Sequence, residues 1–138
     1  MRLQRHVARP RDQGSAVAEF VMVAGLLLLV AMGVFQLGLA LYVRNSLISA
    51  ASEGARFGAR ADAGLQAGVD RTTQLITAGL SERFADDVTA VERTADGVRV
   101  VEVTVRAPLP VIGPIGPSGR LVVSGRAFSE NQVGTGTS

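Results

Sequence analysis

One apolar run constrains this chain more than any other feature. Across residues 20–43, from Phe20 to Val43, the only polar side chains are Gln36 and, near the far end, Tyr42. A helix rises ~1.5 Å per residue, so the run would be roughly 36 Å long, enough to cross a ~30 Å hydrocarbon core with some tilt. It reads as a transmembrane helix. About 95 of the 138 residues follow it, so the soluble part is small and its core marginal.

The leading edge of the run is not that of an ordinary anchor. Residues 1–13 carry Arg2, Arg5, Arg9 and Arg11 against Asp12, a net of +3, and Pro10 breaks any early helix. His6 also lies there, as a solvated bystander. Arginines ahead of a span stay on the cytoplasmic side. From Gly14 onward ten arginines face eleven acids. The basic balance therefore belongs to the head, and the rest offers no basic face with stacking aromatics for nucleic acid. Gly14 and Ser15 form a small pair that an enzyme could approach, and Ser15 is expected to N-cap the helix. Four residues on, Glu19 places a carboxylate at the edge of the oil. Such a group costs on the order of 2.5–3.5 kcal/mol at the bilayer centre on insertion scales, and less near the edge. Ser15 and Glu19 share a helical face, about 6 Å apart along the axis. Cleavage after Gly14 would remove the basic head and give Ser15 an α-ammonium, mostly charged at neutral pH. That cation could offset Glu19 in its own chain or in a neighbour. The alternative is that Glu19 reaches the surface and merely suits the positive end of the helix dipole.

Beyond Val43 the helix is expected to continue in a different solvent. Tyr42 and Arg44 mark an interface. Ala51, Ala55 and Ala59 recur every four residues, as do Gly54 and Gly58, giving an amphipathic stem (residues 44–64) whose apolar stripe needs a partner. The helix should end within residues 60–64. Gly25, Gly33 and Gly38 make notches in the span that would let helices approach in lipid. Residues 65–79 read as a second helix with Leu65, Val69, Ile76 and Leu80 near one side and Gly79 as C-cap, and residues 81–84 as a further turn. The period then changes. Residues 88–94 and 98–107 read as strands joined by an Asp96-Gly97 turn. In the second of them Val101, Val103 and Val105 alternate with Glu102, Thr104 and Arg106, as in a half-buried strand. Residues 108–119, with four prolines and three glycines, read as a loop. Residues 121–128 read as a third strand with Gly125 as a bulge, and residues 129–138 as a disordered tail. The fold class is α+β: a long membrane helix (residues 15–43) behind a short basic leader (residues 1–14), a stem, and a helix-plus-sheet domain over residues 65–128 packed on that stem.

Chemistry finds little support. The chain has no cysteine, and its one histidine lies in the head, so thiolate metal sites and His-based triads are unavailable. Asp86 and Asp87 are adjacent and would point apart on a strand. The glycine-rich loop has no lysine, and its prolines remove donors, so it is no phosphate cradle. No catalytic residue, cofactor, metal or small-molecule substrate is expected.

The residues do resemble a family. Gly14-Ser-Ala-Val-Ala-Glu-Phe-Val21, behind a basic leader, is similar to a type IV prepilin processing site, with Ser15 where many pilins start with Phe. Tyr42-Val-Arg-Asn-Ser46 and Ala50-Ala-Ser-Glu-Gly-Ala-Arg-Phe-Gly-Ala59 resemble the TadE-like pseudopilins of the Flp/Tad system. The resemblance covers roughly residues 10–60. It implies Gly14 and Ser15 as the scissile pair of a prepilin peptidase and Glu19 as the determinant of processing and assembly. It implies a structural subunit of the cytoplasmic membrane, single-pass, amino terminus inside, whose partners are membrane lipid, the peptidase and other pilin or pseudopilin subunits. Ala51, Gly54, Ala55 and Gly58 would pack the stem. Two rivals stand beside it. One is a permanent single-pass protein with a small outer binding or sensing domain. The other is a secretory signal cut near Ser49-Ala50-Ala51, for which the apolar run is long.

Overall fold

The computed structural model describes residues 11–111 and 119–130, with side chains from Gly14 onward. It contains α1 (Arg11–Gly58), α2 (Leu65–Gly79), a 3-10 turn (Glu82–Phe84), and strands β1 (Val88–Ala95), β2 (Val98–Pro108) and β3 (Arg120–Phe128). The chain falls into two units divided between Leu37 and Gly38. The fold class expected from the sequence is the one observed, down to the three strands and the bounds of α2.

In the second unit the strands form an antiparallel sheet in the order β1-β2-β3. The β1–β2 hairpin turns through Asp96 and Gly97, with φ of 53° and 79°. Two consecutive positive φ values match the right-handed twist of the flanking strands, which is why the Asp-Gly pair sits there. Alternation along β2 buries Val101, Val103, Val105 and Ala107 on one face, and Val123 joins them from β3. That face packs on the helices. Val43, Leu47, Ala50, Ala51 and Ala55 of α1, Ile76 of α2 and Phe84 of the 3-10 turn complete one core. Each large apolar side chain buried there contributes roughly 1.5–3 kcal/mol.

Glycine sets how close the layers come. A Cβ on Gly125 would collide with the backbone of Ala51 and Ser52, so β3 lies against α1 main chain to main chain. The ladder runs unbroken through the Val103↔Gly125 pair. Gly125 is thus a contact point, and the bulge expected there is corrected. The two helices meet the same way. A Cβ on Gly54 would stand 2.6 Å from the Gly68 carbonyl oxygen, and one on Gly58 would stand 3.2 Å from Gly68 Cα. Beside this crossing Thr72 is fully buried, and its hydroxyl donates to the Gly68 carbonyl at 2.8 Å. The buried edge of α2 is therefore Gly68, Thr72 and Ile76, with Leu65 and Val69 half-buried.

Other expectations need adjustment. Helix α1 is already formed at Arg11, so Ser15 lies inside it and does not cap it. The basic leader through Pro10 lies outside the described residues. The regular helix stops at Gly58, short of residues 60–64. There the Ala59 carbonyl accepts the Glu130 N–H at 2.9 Å and the Ala61 N–H donates to the Glu130 carboxylate at 3.2 Å, which draws the backbone out of its spiral. Ser129, buried, donates its N–H to Arg99, so the folded part extends through Glu130 and not only to residue 128. The rest of the expected tail, 131–138, and most of the β2–β3 loop, 112–118, lie outside the described residues. Gly79 ends α2, but the capping position is Leu80, whose N–H reaches the Ile76 carbonyl at 2.8 Å.

Gly125→Ala should destabilise the full-length protein by about 1–3 kcal/mol, the usual cost of forcing volume into a packed site. Gly79→Ala, with open space around its Cβ, should not. Denaturant midpoints in detergent micelles would check both.

Candidate functional site

The first unit presents a surface that water does not tolerate. Val17, Phe20, Val21, Met22 and the leucine run that follows are more than half exposed, with Phe20 and Leu29 each at 72%. A soluble monomer rarely shows a contiguous apolar patch beyond a few hundred Å². Of the described helices, one is long and apolar enough to cross a membrane, and none of its most apolar stretch is buried. A core helix of a soluble protein would be covered. Lipid is the solvent that fits, because helical hydrogen bonding satisfies every backbone group in the interior of the span.

Gly14, Ser15 and Glu19 are all exposed on the leading turns of α1. The helix places Ser15 and Glu19 on one face, a turn apart. Among the described residues no cation pairs with Glu19. Phe20 is exposed near the leading edge of the apolar surface, but Val43 is only 3% exposed and belongs to the core of the second unit. Burial starts with Leu39, half-buried against that core. The surface open to lipid on all sides therefore stops near Gly38. From Val17 to Leu37 it spans roughly 32 Å, still a bilayer's thickness. Leu41 and Tyr42 stay at least half exposed on the side of α1 away from the core.

The small stem residues are occupied within the chain. Ala51 and Ala55 are fully buried, Ala51 faces β3 at Gly125, and Gly54 and Gly58 face α2 at Gly68. What the sequence did not disclose was the other side of these contacts, Gly68, Thr72 and Gly125. The Gly68–Thr72–Ile76 spacing of four residues was the one available signal.

On the outer face of the sheet Glu102 lies between Arg93 and Arg126, and Asp87 between Arg106 and Arg120. The arginines are about half exposed or more, so each pair is worth at most about 1 kcal/mol. An open groove of about 680 Å³ runs along Asn45, Ser49, Ser52 and Arg56 beside Leu75 of α2. Among the described residues no group of three or more His, Cys, Asp or Glu could hold a metal ion.

Residues 14–56 match the family model described as TadE-like protein. The match opens at Gly14 and closes two residues before the end of α1, so it covers the leading turns, the apolar surface and the stem, and leaves out α2 and the sheet. No curated protein and no solved structure matches the chain significantly.

Leu28→Arg should reduce stable insertion of the apolar segment by about 2.5–3.5 kcal/mol on the insertion scale. Carbonate extraction of membranes would show the variant partly released, while Arg44→Leu, beyond the exposed stretch, would stay in the membrane fraction.

Proposed function

We propose that the protein is a minor pilin-like subunit, of TadE-like pseudopilin type, that serves assembly of a Tad pilus. The observation that carries the reading is the exposed carboxylate of Glu19 at the head of an uncovered apolar helix, within the TadE-like match and one turn beyond the Gly14–Ser15 bond. The chain inserts with its basic head in the cytoplasm, and a prepilin peptidase removes residues 1–14. Because Gly14 and Ser15 sit inside α1, the peptidase must unwind the first turns. Gly14 eases this, since glycine is about 1 kcal/mol poorer than alanine in a helix. Cleavage leaves an α-ammonium on Ser15 beside Glu19. The two groups pair within one chain or between neighbours when the helix leaves lipid for a helix-packed assembly. Helix burial there replaces lipid contact, and pairing offsets the cost of holding a carboxylate in oil.

The secretory-signal reading fails on packing. A cut near Ser49-Ala50-Ala51 would strip Val43 and Leu47 from the core and sever α1 where it lies on β3. The permanent-anchor reading differs from the proposal only in keeping the head. Its support is the folded second unit, which depends on no cleavage. Amino-terminal sequencing of the protein from native membranes decides between them: a Ser15 start is expected, and an intact Met1 in functional material would overturn the proposal. Glu19→Ala should abolish processing or assembly, seen as uncleaved protein on immunoblots or as loss of surface filaments. Glu53→Ala, an exposed acid of the stem, should leave both unchanged.

A further inference from the structure

The sheet of the second unit has two open edges, β1 on one side and β3 on the other. Hydrogen bonds at the strand ends show which backbone groups each edge leaves outward. In an antiparallel ladder, directly opposite residues alternate between bonded and unbonded pairs. The Ser129 N–H donates to the Arg99 carbonyl, so Val122, Ser124, Arg126 and Phe128 turn their own N–H and C=O away from β2. The Arg106 N–H donates to the Asp87 carbonyl, so Val88, Ala90, Glu92 and Thr94 do the same on β1. Among the described residues no backbone group meets either edge from outside. Neither strand carries the proline or the bulge that blunts an edge.

Both β1 and β3 run antiparallel to β2, so they are parallel to each other. The β3 edge of one copy can therefore receive the β1 edge of the next by a simple shift. Parallel pairing sets a residue with outward groups opposite one whose groups turn inward, and bonds it to that residue's two neighbours. Val122 and Ser124 are of the first kind, and Val91 and Arg93 of the second. All four lie on the outer face of the sheet, so the phases agree.

We propose that a second copy of this chain occupies the β3 edge through its β1, with Val122 opposite Val91, Ser124 opposite Arg93 and Gly125 opposite Thr94. Val122 and Val91, 58% and 41% exposed, then cover each other, and no like charges meet. Setting Arg126 against Arg93 instead would oppose two cations. The helix side of the sheet selects the same register. There Val88 and Ala90 are half-buried beside α2, while Glu92 and Thr94 are exposed. The proposed register brings this bare half of β1 beside Val123 and Gly125, where α1 of the first copy lies beneath at Ala51 and Ser52. Setting Gly125 against Ala90 would instead press α1 on ground that α2 already fills. On the side of α1 opposite Gly54 and Gly58 stand Asn45 and Ser49, exposed and polar as a neighbour of Glu92 and Thr94 should be. Two β3 edges cannot pair with each other. Adjacent strands stand ~4.8 Å apart, and the helices under the two Gly125 residues need ~8–10 Å. A shift keeps every copy in one orientation and leaves an open edge at each end, so the contact propagates and does not close. The inference deepens the proposed role in assembly and needs no cleavage of the leader.

The chain has no cysteine, so thiols can be placed singly. Two full-length versions, one with Val122→Cys and one tagged with Val91→Cys, are coexpressed and their membranes oxidised. A disulfide-linked heterodimer is expected, and a ladder when both substitutions share one chain. Ser124→Pro should abolish the link and leave the folded unit resistant to protease, because the Ser124 N–H points away from β2. No heterodimer, a Val122→Cys homodimer in its place, or a link that survives Ser124→Pro would overturn the inference. So would protection of Val122→Cys from a water-borne thiol reagent without a heterodimer, which is the sign of a different protein on the edge. A Ser15 start without the link would overturn this inference and leave the proposed function standing.

Discussion

Main chain lies against main chain where α1 crosses β3, and the rest of the folded unit depends on that approach. Gly125 is the only residue type that lets Ala51 and Ser52 come so near, because any Cβ there would occupy the helix backbone. Once this distance is set, the valines of β2 share one core with Leu47 and Ala55, and α2 fits beside α1 through a second glycine contact at Gly54, Gly58 and Gly68. Small residues do this because close packing multiplies dispersion contacts, each weak alone. A unit with so few bulky core residues has little else to hold it.

One helix serves two solvents. Its first part exposes large apolar side chains on every side, and its last part inserts a stripe of small ones into a protein core. The change falls near Gly38. It needs no break in hydrogen bonding, since the helix satisfies its own backbone in oil and in protein alike.

The Glu19 carboxylate is the point at which the fold ends and function begins. Nothing among the described residues pairs with Glu19, and no interaction in the second unit needs it. Within the proposed function, an exposed carboxylate at the edge of a solvent that disfavours it is answered by an event outside the isolated chain. In the proposed reading that event is the creation of a new amino terminus one turn away. The TadE-like match, residues 14–56, takes in both the apolar run and the core-forming stem of α1 and stops before the sheet.

Local patterning was enough to reveal the apolar run, the placement of Glu19 after a small-residue pair, the bounds of α2 and the three strands. Each of these is written in a period of two or near four residues, or in turn residues such as Asp96-Gly97 whose backbone needs are local. What the tertiary structure alone decided was the role of residues whose meaning lies in a distant partner. Gly125 reads as a bulge until α1 is seen against it, Thr72 has no sequence signal until Gly68 accepts its hydroxyl, and Val43 reads as lipid-facing until it is found in the core. Glu130 reads as tail until Ala59 and Ala61 bind it. A glycine, a threonine or a valine carries no mark of its neighbour in the chain's own order, because burial is set by contacts between residues far apart in sequence, and those exist only once the layers have met.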